Sequence, residues 1–286
     1  MYPEARQVLH LDEHFDPAGA AGFDTVTCAW WWQRERMPDA LRQRARVLHP
    51  GVPQLRSAPG CGLTLPDGRW LGGDSRALII ATEGWPANGP DGLLPDLIAA
   101  LLDRTQAPLL LVVPRDALPV WRALIVDQRV CCVEDPGAHN RHLLLRVSAL
   151  LVCGRHQPDW LLEAMATGCP VLAQDGPAMR ELVRHEINGR LAPPADAPGP
   201  LARMTAELLA DVQTLARFAR EAQADAGRDF DTHAAAARYA RLLGALADDD
   251  ALPARPLPDR LIPAGRGTWA RFRTASNPKT SLDRRP

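Results

Sequence analysis

Any chemistry in this chain must come from a few charged side chains set in an apolar frame. Arg155 and Glu163 stand at the mouth of the stretch Pro158 to Pro194, and Glu181 lies inside it. A guanidinium presents a planar fork of donors that suits a phosphate. A carboxylate in the first turns of a helix can contact a ligand, or it can simply meet the positive end of the helix dipole. Both readings stand for Glu163 and Glu181, and Arg155 reads equally well as a surface residue of a loop. His49, His139, His142 and His156 fit no metal or triad pattern, and the six cysteines lack CxxC spacing. From Thr82 to Asp103 there is no Arg or Lys, and Glu83 puts an acid there.

The elements that must position these residues are legible in the same stretch. Asp159 after Pro158 opens a helix with Leu161, Leu162, Met165 and Ala166 on one face, and Gly168 closes it. Val171-Leu172-Ala173 is an apolar run of the kind buried in a parallel sheet. Met179 to Arg184 reads as a second helix, and Asn188-Gly189 as a tight turn. Helix, buried strand, loop and helix at this spacing indicate a doubly wound α/β fold.

Similar runs recur along the chain. Strands are expected at Gln7–Leu11, Asp24–Cys28, Ala77–Thr82, Leu109–Val113, Val130–Val133 and Ala149–Cys153. Helices are expected at Arg34–Arg46 after Pro38, Leu93–Leu102, Leu118–Ile125, Leu143–Val147 and Leu201–Ala222, the last broken at Gly227, with a closing helix through Leu246. Ser57–Gly73 reads as a loop. Trp30-Trp31-Trp32 is either a hydrophobic plug against a neighbouring element or a partner surface.

A length of 286 residues allows one large domain or two small ones, and a formal net charge of −1 implies no broad attraction to nucleic acid or anionic membrane. No apolar run is long enough to span a bilayer, and the N-terminus lacks a signal-peptide pattern. Reduced, buried thiols and a cytoplasmic location are expected. No metal and no cofactor are expected.

The residues Leu161-Leu162-Glu163-Ala164-Met165-Ala166, Gly168, Pro170-Val171-Leu172-Ala173, Asp175, Glu181-Leu182-Val183, Asn188-Gly189 and Leu191 resemble the nucleotide-sugar-binding domain of GT-B glycosyltransferases of the retaining family 4 (group 1) type. The likeness runs from Val47 to Ala247. It implies an α/β fold: a Rossmann-like, mostly parallel sheet with helices on both faces. Val47 to Pro53 resembles the family's crossing between lobes. The resulting division is residues 1–46 as a remnant of the acceptor domain, reduced to its last one or two strands, residues 47–247 as the donor domain, and residues 248–286 as a Pro/Arg-rich tail expected to be disordered.

What the resemblance implies for the site follows residue by residue. Glu163 matches the acid that pairs with the donor ribose. Val133 and Glu134 end the strand whose backbone holds the base. Gly84 follows the strand whose family counterpart carries an Arg and a Lys for the diphosphate, both lost here. Gly154 and Arg155 precede the helix, and Arg155 stands where the family has an acid at the sugar, eight positions before Glu163. These six residues are the donor-binding candidates; no catalytic residue is assigned. The implied activity is transfer of a sugar from a nucleotide-sugar donor to a glycan, lipid or protein. The alternative is a non-catalytic scaffold that binds a protein partner through Trp30, Trp31 and Trp32 or the C-terminal tail.

Overall fold

The computed structural model describes residues 8–11, 23, 25–53, 62–72, 77–82, 93–137, 140–193 and 198–247. The C-terminal tail and Gly84 therefore lie outside the described residues. The chain begins with a small parallel sheet of β1 (Val8–Leu11), β2 (Thr25–Cys28) and β3 (Ala45–Val47), in the order β1-β2-β3. Between β2 and β3 run two short helices, α1 (Trp31–Arg36) and α2 (Asp39–Arg44). Leu11, Val26, Cys28, Met37, Leu41 and Ala45 make a core of their own. The expected Arg34–Arg46 helix is thus corrected to the end of α1, a break at Met37-Pro38, α2 and a strand. Pro38 lacks an N–H and sets the break. Three strands precede residue 48, where one or two were expected.

After a two-stranded hairpin, β4 (Leu63–Thr64) with β5 (Trp70–Leu71), the main sheet begins. That hairpin occupies what the sequence reads as loop; Asp67-Gly68 forms its turn, with Gly68 at φ 84°. The main sheet holds β6 (Ala77–Ala81), β7 (Leu109–Val113), β8 (Val130–Glu134), β9 (Ser148–Cys153), β10 (Val171–Gln174) and β11 (Arg190–Ala192). All six strands are parallel, in the order β11-β10-β9-β6-β7-β8. β6 and β7, at the centre, are buried on both faces, which explains their unbroken apolar runs.

On one face Leu78, Ile80, Leu109, Leu111, Val113, Cys132 and Val152 share a core with α3 (Leu93–Leu102), Trp121 of α4 (Leu118–Leu124), α8 (Pro198–Ala210) and the start of α9 (Val212–Asp229). The other face meets α6 (Pro158–Thr167), which packs on β9, β10, α7 (Pro177–Leu182) and α5 (Arg141–Arg146). Cys131 and Cys132 face opposite ways as expected: Cys132 lies in the first core, and Cys131 sits beside Asp67 and Arg69 of the hairpin.

Two helix ends differ from the sequence reading. The expected Leu201–Ala222 helix is two helices. Asp211 interrupts it and caps α9, its Oδ1 accepting from the Thr214 N–H at 2.9 Å. Gly227 breaks nothing; it lies inside α9. Gly168 does end α6, at φ 74° in a Schellman motif, with Cys169 N–H donating to the Ala164 carbonyl and Gly168 N–H to that of Met165. Gly168→Ala is expected to cost about 1–2 kcal/mol, because the left-handed backbone penalises any Cβ. Urea denaturation measures this directly.

The last helix, α10 (Thr232–Ala247), returns the chain to its beginning. Just before it, the Phe230 carbonyl accepts from the Val52 N–H at 2.7 Å, and Val52 bridges Asp231. No described helix is long and apolar enough to cross a membrane.

Candidate functional site

The strand order places the site. From β6 the chain steps to β7 and β8 on one side, then β9 enters on the other side of β6. Loops leaving β6 and β9 therefore diverge, and ligands of open parallel sheets bind in the crevice so formed at the carboxyl ends of the strands. The residues that follow β6 and Thr82, 83–92, lie outside the described residues. The loop after β9 is Gly154-Arg155-His156-Gln157.

That loop is braced from within. The buried Gly154 N–H donates to Gln157 Oε1 at 2.8 Å. Gln157 is 4% exposed and its Nε2 has no partner; Gln174, at the end of the neighbouring β10, is fully buried with both amide atoms unpartnered. Arg155 backs onto the next loop so closely that a Cβ at Gly176 would fall 2.9 Å from the Arg155 Cβ. The Arg155 Nε is buried without a partner.

A second cluster sits at the end of β8. Val133 is buried and pairs with Val112; the Glu134 side chain turns outward to Arg115 at 2.7 Å. The next residue, Asp135, caps the Gly137 N–H at 2.8 Å and grips Arg141, whose Nη2 lies 2.8 Å from Oδ2. Arg141 also lies over the Trp160 ring at 4.7 Å and places its Nη1 3.6 Å from Glu163 Oε1. Glu163 Oε2 is buried with no partner. Burial pushes the Glu163 carboxyl up to about 7, against the pull of Arg141. The structure thus brings Val133, Glu134 and Glu163 to one end of the crevice and Gly154 and Arg155 to the other. Three inter-strand spacings, about 14 Å, separate β8 from β9.

The small sheet supplies a flank. Glu181 of α7 is buried and accepts from the backbone N–H groups of Trp31, at 2.7 Å, and Trp32, at 3.2 Å. It therefore satisfies two free donors at the start of α1. Gln33 Oε1 accepts from the Trp30 N–H at 2.9 Å. Trp30 is 2% exposed and packs with His49 and Phe230, at ring separations of 5.4 and 6.3 Å. Trp32 is buried as well. Of the two readings of Trp30, Trp31 and Trp32, burial agrees with the hydrophobic plug for Trp30 and Trp32, and Trp30 packs between the crossing segment and the entry to the last helix, while Trp31 is half-buried.

Sequence reasoning missed Asp135, Arg141, Gln157 and Gln174. Asp135 and Arg141 carried a weak signal, an Asp-Pro-Gly turn with a basic residue at the start of the next helix. The glutamines carried none beyond being polar in apolar surroundings. Among the described residues no group of three or more His, Cys, Asp or Glu is placed to hold a metal ion.

Residues 97–211 match the family model described as Glycosyl transferases group 1, and the architecture is that of GT-B glycosyltransferases. The solved structures it is similar to include Anabaena Alr3699/HepE in complex with UDP-glucose, at 20% identity and a TM-score of 0.63, covering 83% of this chain and 72% of that one. Sucrose-phosphate synthase from Thermosynechococcus elongatus is similar at 19% identity and a TM-score of 0.59, covering 82% of this chain and 61% of that one. S. aureus TarM, solved with fondaparinux, alpha-GlcNAc-glycerol and UDP, is similar at 15% identity and a TM-score of 0.61, covering 83% and 50%. No curated protein matches the chain.

Proposed function

We propose that this chain binds a nucleotide-sugar donor across the carboxyl ends of β8, β7, β6 and β9 and transfers its sugar to a glycan, lipid or protein acceptor. The ribose lies at Glu163, the base along the backbone of Val133 and Glu134, and the diphosphate toward Gly154 and Arg155. The observation that carries this reading is the buried, unpartnered Oε2 of Glu163. A buried acceptor is costly unless something donates to it, and a ribose hydroxyl does so. The UDP-glucose in HepE supports including uridine donors in the test.

The test is a thermal-shift panel with UDP, GDP and ADP and their sugars. A ligand bound at micromolar affinity raises stability by several kcal/mol at millimolar concentration. Glu163→Gln is expected to weaken the responding nucleotide about tenfold to a hundredfold, as loss of a charged hydrogen bond does. Titration calorimetry reads that loss, and an unchanged affinity rejects the ribose assignment.

One observation favours a second reading, a non-catalytic binding subunit of glycosyltransferase descent. Arg141, held by Asp135 and Trp160, already neutralises part of Glu163, and Gln157 already occupies the Gly154 N–H. A flat response to the whole panel supports this reading. Any partner would then bind elsewhere than the buried Trp30 and Trp32.

A further inference from the structure

Glu163 turns one carboxylate oxygen toward Arg141 and keeps the other without a partner. A guanidinium fork beside a carboxylate ordinarily takes both oxygens at once. Here Arg141 Nη1 stops 3.6 Å from Glu163 Oε1, beyond hydrogen-bond length. Both side chains are mostly buried, so salt and water do little to weaken the attraction between them. The cation is held back from a carboxylate that it could grip in full.

Two neighbours hold it. Asp135, in the loop after β8, accepts from Arg141 Nη2 at 2.8 Å on Oδ2 and from Nε at 3.1 Å on Oδ1. The guanidinium carbon lies 4.7 Å from the centre of the buried Trp160 ring, which favours one plane for the fork. Asp135 is itself anchored, because Oδ1 also accepts from the Gly137 N–H at 2.8 Å. The two-nitrogen edge of the fork is thus committed to Asp135. Nη1 is directed at Glu163 Oε1, and Glu163 Oε2 is left to whatever else can donate.

We infer that Asp135 is a positioning residue for the ribose: it acts through Arg141, keeping the guanidinium off Glu163 so that Oε2 stays open to a ligand hydroxyl. This rests on the donor reading given above. Without the hold, Arg141 turns its fork onto both oxygens of Glu163, and the ribose loses its acceptor. The arrangement also makes binding depend on pH. The charged groups that act on Glu163 are Arg141 of α5, Asp159 in the first turn of α6, and Asp135. Burial pushes the Glu163 carboxyl up to about 7, Arg141 pulls it down, and Asp159 and Asp135 act with burial. The ionised carboxylate is the stronger acceptor, so nucleotide affinity rises with pH through that value.

The experiment combines titration calorimetry of UDP, GDP and ADP on the full chain from pH 6 to 9 with carbon-13 NMR of the Glu163 carboxyl, whose signal is identified by its loss in Glu163→Gln. The variants are Asp135→Asn, Arg141→Gln and the two together. Asparagine keeps an oxygen for the Gly137 N–H and turns an amide NH2 toward Arg141 Nη2, donor against donor. Asp135→Asn is expected to weaken the bound nucleotide about tenfold to a hundredfold even at pH 8 to 9, where Glu163 is ionised, and to lower the Glu163 titration midpoint. Arg141→Gln is expected to raise that midpoint, to weaken the nucleotide several-fold at pH 7 and to recover near pH 9. In the double variant the Asp135 effects should largely vanish, because no fork remains to be released. Direct repulsion between Asp135 and Glu163 would instead persist without Arg141. The inference is overturned if Asp135→Asn binds nucleotide as the wild type does at pH 8 to 9, or if its effects are as large without Arg141 as with it. Should the wild type bind none of the three nucleotides, the donor reading is rejected separately, and the NMR midpoints decide the hold. A midpoint lowered by Asp135→Asn only when Arg141 is present supports it, and an equal shift in both backgrounds overturns it.

Discussion

Trp30→Ala is expected to lower stability by about 3–5 kcal/mol, the range for truncating a fully buried aromatic side chain. Trp30 is 2% exposed and touches His49 from the crossing segment and Phe230 from the entry to α10. The cavity left behind would open onto both sheets, so the whole chain up to α10 should lose stability in one transition. Urea unfolding followed by tryptophan fluorescence and far-ultraviolet circular dichroism tests this, because coincident transitions mark a single cooperative unit. Trp31→Ala, at a partly exposed position, should cost much less. Near-native stability for Trp30→Ala would remove the plug.

Glu181→Ala is the second large effect, at about 2–4 kcal/mol. Two backbone N–H groups at the start of α1 lose their acceptor, and each buried donor left unsatisfied costs roughly 1–3 kcal/mol. Glu35→Ala, on the exposed side of the same helix, should stay within about 0.5 kcal/mol. Glu181 also carries a pH signature. Burial pushes its carboxyl up to about 7, from 4.5 in the unfolded chain, despite the pull of the two N–H groups. The folded state therefore holds more protons than the unfolded one across that window, and stability falls as pH rises through it. Glu163, also raised to about 7, contributes with the same sign. His49, whose Nδ1 lies 3.9 Å from Glu181, is pushed down to about 4 by burial and by Arg238, so its contribution rises with pH between 4 and 6.5. Each slope is at most about 1.4 kcal/mol per pH unit, so the two glutamates outweigh the histidine: stability declines gently between pH 4.5 and 6.5 and more steeply from there to about 7. Glu181→Gln should flatten that decline, and His49→Gln should steepen it below pH 6.5. Urea midpoints measured from pH 4.5 to 8 decide it.

The parts of the fold legible in the sequence are those governed by local pattern. Leu93–Leu102 and Leu109–Val113 have the bounds expected, because a helical stripe and a strand buried on both faces each leave an unambiguous run of apolar residues. The errors fall where a single polar residue or distant packing decides. Asp211 splits a continuous apolar periodicity by capping the next helix. Gly227 costs about 1 kcal/mol in a helix interior, which the burial of Phe218, Ala222 and Ala226 in α9 offsets. β11 is three residues long and exists by pairing with β10. For the candidate site, Glu163, Arg155 and the end of β8 could be named from the sequence because a motif marks them. The role of Glu181 as acceptor for α1 joins residues about 150 apart, and no local pattern encodes it; the Gln157 brace and the Asp135 grip on Arg141 are local, but they depend on loop geometry that composition does not reveal.

The bond from Val52 to the Phe230 carbonyl has a consequence for how the protein is made. The donor emerges from the ribosome early, and its acceptor follows about 180 residues later, after most of the chain has been translated. Glu181 of α7 can hold the start of α1 before the chain is finished, but the Val52 bond must wait for the segment that leads into the final helix. Until then the Val52 N–H lacks this acceptor and Trp30 lacks the Phe230 ring. Slow translation would prolong that interval, and chaperone demand should be greatest there.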